Sequence, residues 1–298
     1  MIKKIKNLIK RLILVPEFLY LTFKYVELSS IPIGFISRLF FIPLKIKFKD
    51  GNETEVLGLA TLRFYKYKRE LVDKKNNIYC LFINNRKFYT TFLSGHLIYS
   101  LISGETKKYY PADFKNKKVL DVGGNIGDSA IYFLDEGASF VDIYEPVERN
   151  IKIMKMNLNC YPQEKYKINN LAVSDKDGIL EIRTAFPLGS GSFGGNTAKF
   201  LTKLFKIESK TYQFSCISFN TILKKNSYDI AKIDCEGCEE ALANTKDELI
   251  RKVPLWLIET HSKQIEQKIL EKFEQNNFTK VLIHGVGNFK IYKFIRNN

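Results

Sequence analysis

One stretch, Asp121-Val122-Gly123-Gly124-Asn125-Ile126-Gly127-Asp128, has the residue types to hold a nucleotide-like ligand. An apolar run at residues 119–122 leads into glycines and then into a helical pattern. The glycines permit a tight turn and let a ligand approach backbone N–H groups at a helix N-terminus. A dinucleotide fingerprint needs glycine at its first, third and sixth positions, but counted from Gly123 those positions hold Gly123, Asn125 and Asp128. A carboxylate where a pyrophosphate should lie repels it, so charge disfavours NAD and FAD. S-adenosylmethionine has no phosphate and carries a sulfonium cation, and it suits such a loop. Glu145, 24 positions after Asp121 and at the end of the next apolar run, stands where a carboxylate accepts hydrogen bonds from two ribose hydroxyls. Asn170, with Ala172 and Asp175 around the third run, lies where an adenine-edge contact is expected. The cofactor set is therefore Asp121, Gly123, Asn125, Gly127, Glu145, Asn170 and Asp234.

A second group of polar residues gathers later in the chain. Asp234 ends the run at 230–233, Glu236 opens the next helical pattern, and Glu259 and His261 end the run at 255–258. Open α/β sheets bind ligands at the carboxyl ends of their strands near the switch point, which places Asp121, Glu145, Asp234 and Glu259 on one rim. Around an acceptor hydroxyl, Asp234, Glu236, Glu259 and His261 could remove its proton during in-line displacement at a sulfonium methyl. His261 is the favoured base, because its ordinary pKa is nearest neutrality. The same four side chains could hold one divalent cation that acidifies the hydroxyl. That alternative is possible but not favoured, and no metal is assigned.

The pair Cys235 and Cys238 invites a zinc or redox reading, but zinc needs two further ligands. No second Cys or His pair occurs, and His96, His261 and His284 are scattered. Two small apolar thiols packed beside a sheet are expected instead. Five cysteines in 298 residues give no disulfide framework and fit a reduced compartment.

The elements that must position these residues follow from periodicity. Apolar runs at 119–122, 141–144, 171–173, 230–233, 255–258, 281–283 and 289–294 alternate with helical patterns at about 126–136, 147–159, 219–225, 237–252 and 262–276. Such alternation predicts a parallel sheet covered on both faces. Residues 179–184 and 211–218 read as extra strands, with a loop holding four glycines at 187–196 that can close over a site. The last two runs, separated by Gly285-Val286-Gly287-Asn288, predict an antiparallel hairpin that closes the sheet.

Upstream, residues 44–48, 78–83 and 87–92 read as short strands. Residues 2–14 place Ile2, Ile5, Ile9, Leu12 and Ile13 at helical spacing among basic residues, and an aromatic stretch at 18–25 follows Pro16. The domains are thus 1–43, a basic helical segment; 44–116, a small β-rich region; and 117–298, the ligand-binding α/β domain. Charged residues cut residues 1–47 into short apolar runs, which excludes a spanning helix, and no signal-peptide pattern is present. A cytoplasmic enzyme, peripheral at a membrane surface if residues 1–43 bind lipid, is expected.

The spaced set Asp121 to Asp128, Tyr144-Glu145-Pro146, Asn170 to Gly178, Lys232-Ile233-Asp234-Cys235-Glu236-Gly237 and Glu259-Thr260-His261 resembles the FkbM-type S-adenosylmethionine-dependent methyltransferases, over about residues 117–295. The resemblance implies the class I methyltransferase fold, a doubly wound Rossmann-like sheet with an antiparallel last strand, and O-methylation of sugars, polyketides or other small secondary metabolites. Lipid-linked and glycan acceptors belong to the same expectation. Gly124 departs from the alanine common in that family, which should only loosen the turn.

Net charge leaves two alternatives open. Of the formal +15, residues 1–117 carry 22 basic and 9 acidic side chains, a net of +13, which leaves +2 for residues 118–298. A basic N-terminal part suits an anionic partner and prompts a nucleic-acid methyltransferase. That reading is disfavoured because Asp234-Cys235-Glu236-Gly237 carries two acids and no stacking aromatic where base-flipping enzymes need one. The other alternative is a membrane-associated S-adenosylmethionine-binding protein without turnover.

Overall fold

The computed structural model describes residues 19–32, 46–49, 51, 53–54, 67–91, 94–184, 210–235 and 237–297. The expected helix at 2–14, the glycine loop at 187–196 and Glu236 lie outside the described residues. The chain divides into two compact units, Met1–Tyr99 and Ser100–Asn298. No helix among the described residues is long and apolar enough to cross a membrane.

In the first unit, residues 19–25 are helical, and β1 (Ile46–Lys47) pairs antiparallel with β2 (Glu53–Thr54). β3 (Lys68–Asp73), β4 (Ile78–Ile83) and β5 (Arg86–Thr91) form an antiparallel meander. β4 is apolar throughout and almost wholly buried. Its turn to β5 uses Asn84 and Asn85, both at positive φ (48° and 61°), as a two-residue hairpin of the primed kind requires. β3 escapes the sequence reading because four of its six residues are charged, a composition suited to an edge strand.

The second unit holds a seven-stranded sheet. α1 (Gly95–Ile102) runs across the boundary between the units, and after α2 (Glu105–Tyr109) come β6 (Lys118–Val122), α3 (Asp128–Asp135), β7 (Phe140–Tyr144), α4 (Glu148–Leu158) and β8 (Tyr166–Asn169). β9 (Ala172–Ser174), β10 (Gly178–Thr184) and β11 (Lys210–Ser218) lead to α5 (Phe219–Lys225) and β12 (Ile230–Ile233). α6 (Glu239–Ala243), α7 (Asp247–Ile250), β13 (Leu255–Thr260), α8 (Lys263–Gln275), β14 (Phe278–Val286) and β15 (Phe289–Arg296) complete the chain. The strand order is β14-β15-β13-β12-β6-β7-β8, and every strand runs the same way except β15, which is antiparallel to both its neighbours, β13 and β14. The chain winds one way from β6 to β8 and the other way from β12 to β13, so the switch point lies between β6 and β12. This is the class I architecture expected from the resemblance.

Helix ends follow local chemistry. Ser218 and Ser262 cap α5 and α8 by accepting from Thr221 N–H and Ile265 N–H. Ile269 and Phe273 of α8 are buried, and Phe273 stacks on Phe294 at 4.3 Å and meets Trp256 edge-on at 5.5 Å.

Two expectations are corrected. Residues 171–173 do not give the third strand of the main sheet. That place belongs to β8, while β9 pairs with β11 in a separate three-stranded sheet with β10. β8 was missed because only two of its four residues, Tyr166 and Ile168, are apolar and it lies at a sheet edge. The helical pattern at 237–252 also breaks into α6 and α7. Thr245 Oγ1 donates to Ala241 O and Asn220 takes Lys246 N–H, so the chain turns at residues 244–246 instead of continuing.

Candidate active site

Strand register sets the centre of the site. In β12, Ile233 pairs with Val122 of β6 and with Ile258 of β13, so the next residues outward, Gly123, Asp234 and Glu259, leave the rim at one level. Asp234 N–H donates to Val122 O at 3.0 Å. Gly123 lies at φ +83°, and a Cβ there would stand 1.8 Å from the Asp234 carbonyl oxygen, so only glycine lets the loop pass over β12. A Cβ at Gly124 would meet Ile143 Cγ2 at 2.2 Å. Glycine here does more than loosen the turn: the space an alanine methyl needs is filled by a β-branched side chain of β7.

Beneath the loop lies a buried ion pair. Lys232 is only 2% exposed, although it sits in the middle of an otherwise apolar central strand. Its Nζ stands 3.1 Å from Asp121 Oδ1 and 3.8 Å from Asp234 Oδ2, and donates to Gly123 O at 2.9 Å. Ser129 Oγ donates to Asp121 Oδ2 at 2.6 Å. Asp121 is fully enclosed, so it supports the loop from below instead of offering an atom to a ligand. The surrounding acids, Asp121 first among them, outweigh burial and hold the Lys232 ammonium protonated, well above its ordinary pKa.

Glu145, at the end of β7, joins the loop to α4. Its Oε2 accepts from Asn125 N–H at 2.9 Å, and its Oε1 accepts from Val147 N–H at 3.0 Å and Asn150 Nδ2 at 3.1 Å. A carboxylate has about four acceptor positions. Three are taken, which leaves room on Oε2 for one ligand hydroxyl where the sequence suggested two. Burial pushes its carboxyl up, and the three donors oppose that shift. Asn170 is exposed just past the end of β8, and Gly127 caps α3.

On the other side of the switch point the acids converge on one ring. Glu259 Oε1 lies 3.0 Å from His261 Nε2, Asp234 Oδ1 lies 3.9 Å from the same nitrogen, and Glu239 Oε1 lies 3.5 Å from Nδ1. Glu239 is fully enclosed and also takes the N–H groups of Gly237 at 2.7 Å and Cys235 at 3.3 Å. Tyr110 O–H donates to Asp234 Oδ2 at 3.3 Å from a buried position. Burial pulls the His261 pKa down, but Glu239, Glu259 and Asp234 outweigh it and push the ring up to about 11. His261 is therefore an imidazolium at neutral pH. The expectation of a free imidazole base rested on its ordinary pKa, which these neighbours remove.

Cys235 and Cys238 are joined by a disulfide. The turn from β12 into α6 brings their Cα atoms to 5.7 Å, inside the bridging range of about 4.4–6.8 Å, so two free thiols are not what packs there. Cys80, Cys160 and Cys216 take part in no disulfide among the described residues.

Sequence reasoning gathered Asp234, Glu259 and His261 correctly onto one rim with the Gly123 loop, and the structure adds Lys232, Glu239, Tyr110 and Asn150. Lys232 had a signal, a lone cation inside a four-residue apolar run. Glu239 is indistinguishable by sequence from a helix-start acid, and Tyr110 lies 124 residues from its partner Asp234.

The family model for the methyltransferase FkbM domain matches residues 121–282. No curated protein matches the chain. Among solved structures, the ribosomal protein L11 methylase of Lactobacillus delbrueckii subsp. bulgaricus is similar at 13% identity, covering 70% of this chain and 81% of that one, with a TM-score of 0.39. The precorrin-6y C5,15-methyltransferase of Geobacter metallireducens GS-15 is similar at 10% identity, covering 65% and 88%, with a TM-score of 0.38. The magnesium protoporphyrin IX methyltransferase of Synechocystis PCC 6803, with bound SAM, is similar at 11% identity, covering 69% and 78%, with a TM-score of 0.35.

Proposed function

Because the chain belongs to the FkbM methyltransferase family, and is thus an S-adenosylmethionine-dependent methyltransferase, we propose that it methylates a hydroxyl on a sugar, glycan, lipid-linked or secondary-metabolite acceptor. One observation carries the reading: Asp234, 29% exposed, opens beside the Gly123 loop while enclosed or nearly enclosed groups hold it in place. The sulfonium methyl, bound over the loop, then faces an accessible carboxylate. The acceptor oxygen attacks the methyl carbon as the C–S bond breaks, its proton passes to Asp234, and S-adenosylhomocysteine leaves. The protonated His261 holds Asp234 and Glu259 in place and stabilises their charge.

Methyl-labelled S-adenosylmethionine, incubated with an extract whose lipid, glycan, protein and nucleic-acid fractions are then separated, tests this. Label is expected in a lipid or glycan fraction as a methyl ether. Label confined to RNA, DNA or protein overturns the acceptor class, and cofactor binding without any transfer overturns turnover.

The first unit extends the reading to a peripheral contact with anionic lipid. Tyr20, Phe23 and Leu28 are exposed beside Lys24, in the part of the chain that carries most of the net positive charge. Aromatic side chains with nearby cations suit a headgroup boundary, where each basic residue adds about 1 kcal/mol. Flotation with anionic liposomes should be salt-sensitive and should fall in the Tyr20→Ser, Phe23→Ser double variant; equal flotation by both proteins counts against it.

A further inference from the structure

We infer that Asp234, Glu259 and His261 form a site for one divalent cation of the magnesium or manganese class. Each offers one ligand atom, and the three atoms lie within 4.8 Å of one another. A cation bonded at about 2.0–2.2 Å to N and O donors holds neighbouring donors about 3 Å apart. His261 Nε2 and Glu259 Oε1, at 3.0 Å, already have that spacing. Asp234 Oδ1, 3.9 Å from Nε2, has to close by about 1 Å, and its partial exposure leaves the room.

A second feature stands behind the ligands. Metal-bound imidazoles commonly give their other ring nitrogen to a carboxylate, which fixes the tautomer and the ring plane. Glu239 occupies that place: fully enclosed, it stands 3.5 Å from Nδ1 and is itself fixed by the backbone N–H groups of Gly237 and Cys235. Nε2 is thereby turned toward the two acids of the rim. A cation on Nε2 displaces the imidazolium proton to water; Asp234, Glu239 and Glu259 then carry more negative charge than the nearby Lys232 ammonium offsets, and the divalent cation balances it. Two carboxylate oxygens and one imidazole favour a hard ion, and the nearest sulfurs are tied to each other as a disulfide.

The cation's role rests on the methyl-transfer reading. With Asp234 engaged as a ligand, the cation would bind the acceptor hydroxyl oxygen and lower its pKa, so that the proton leaves to water and not to Asp234. The oxygen electron pair then forms the bond to the methyl carbon as the C–S bond breaks and the sulfonium becomes a thioether.

Manganese titrated into the full chain, with free ion followed by electron paramagnetic resonance, tests the site directly. One Mn2+ per chain should bind, Mg2+ should compete, and Asp234→Asn and Glu259→Gln should each weaken binding at least tenfold while keeping the wild-type circular dichroism. No binding by the wild type, or equal binding by wild type and both near-isosteric variants, overturns the inference. Stabilisation by S-adenosylhomocysteine, measured without metal, separates the two readings. Cofactor binding without manganese binding removes the cation alone, and manganese binding without cofactor binding removes the methyltransferase reading alone.

Discussion

On the β6–β7 side of the rim, Glu145 spends three acceptor positions on Asn125, Val147 and Asn150, and the loop it fixes is closed to any side chain at Gly123 and Gly124. On the β12–β13 side, three carboxylates crowd one imidazole, and Asp234 remains partly open. The first arrangement is saturated and shaped before a ligand arrives, as suits a cofactor whose structure never varies. The second keeps charge in hand for chemistry, and nothing in it except Glu239 is fully enclosed. Lys232 lies between the two and touches both through Asp121, Gly123 O and Asp234.

The sharpest way to break this division is Asp234→Asn. Methyl transfer should fall by about 10²–10⁴, while thermal stabilisation by S-adenosylhomocysteine stays at the wild-type level. A matching loss of cofactor binding would move Asp234 to the cofactor side and erase the boundary. Lys232→Met tests the link. It leaves Asp121 enclosed without its counter-charge, and urea unfolding should show a loss of about 3–5 kcal/mol; a loss under about 1 kcal/mol means that Lys232 does not join the two sides.

Glu145→Ala probes the saturated side by itself. S-adenosylhomocysteine at 100 times its dissociation constant should stabilise the wild type by about 2.7 kcal/mol, and the variant should lose about 1.5–3 kcal/mol of cofactor affinity. Turnover at saturating cofactor should change little, and a large fall in turnover would show that the sides are not separable. A separate expectation concerns pH. Burial, helped by Asp121 and opposed by Lys232, raises Asp128 at the start of α3 to about 7 from 3.8. The folded chain then binds a proton that the unfolded chain has released, so stability falls as pH rises from about 4 to 7 and levels off above that. Asp128→Asn should flatten this part of the profile in chemical unfolding, and an unchanged slope would place the titration elsewhere.

How much of this was legible beforehand depended on distance along the chain. The loop from Asp121 to Asp128 and the acid at Glu145 could be read because a strand, a tight turn and a helix start are local patterns. The helical patterns at 219–225 and 262–276, read from apolar periodicity, match α5 and α8 within a residue. β8 and β9 were exchanged, since a short edge strand with few apolar residues and a short strand in a second sheet differ only in what they pair with.

The sequence alone therefore determined the alternation of strands and helices around the site, the glycine turn and the acids at strand ends, because each depends on neighbours a few residues away. Only the tertiary structure decided that Asp121 is enclosed, that Lys232 reaches under Gly123, that Tyr110 finds Asp234, and that His261 carries a proton. Burial and charge at a point are sums over everything packed around it. Here those contributions come from β6, β12, β13, the start of α6 and the end of α2, which the chain brings together only by folding.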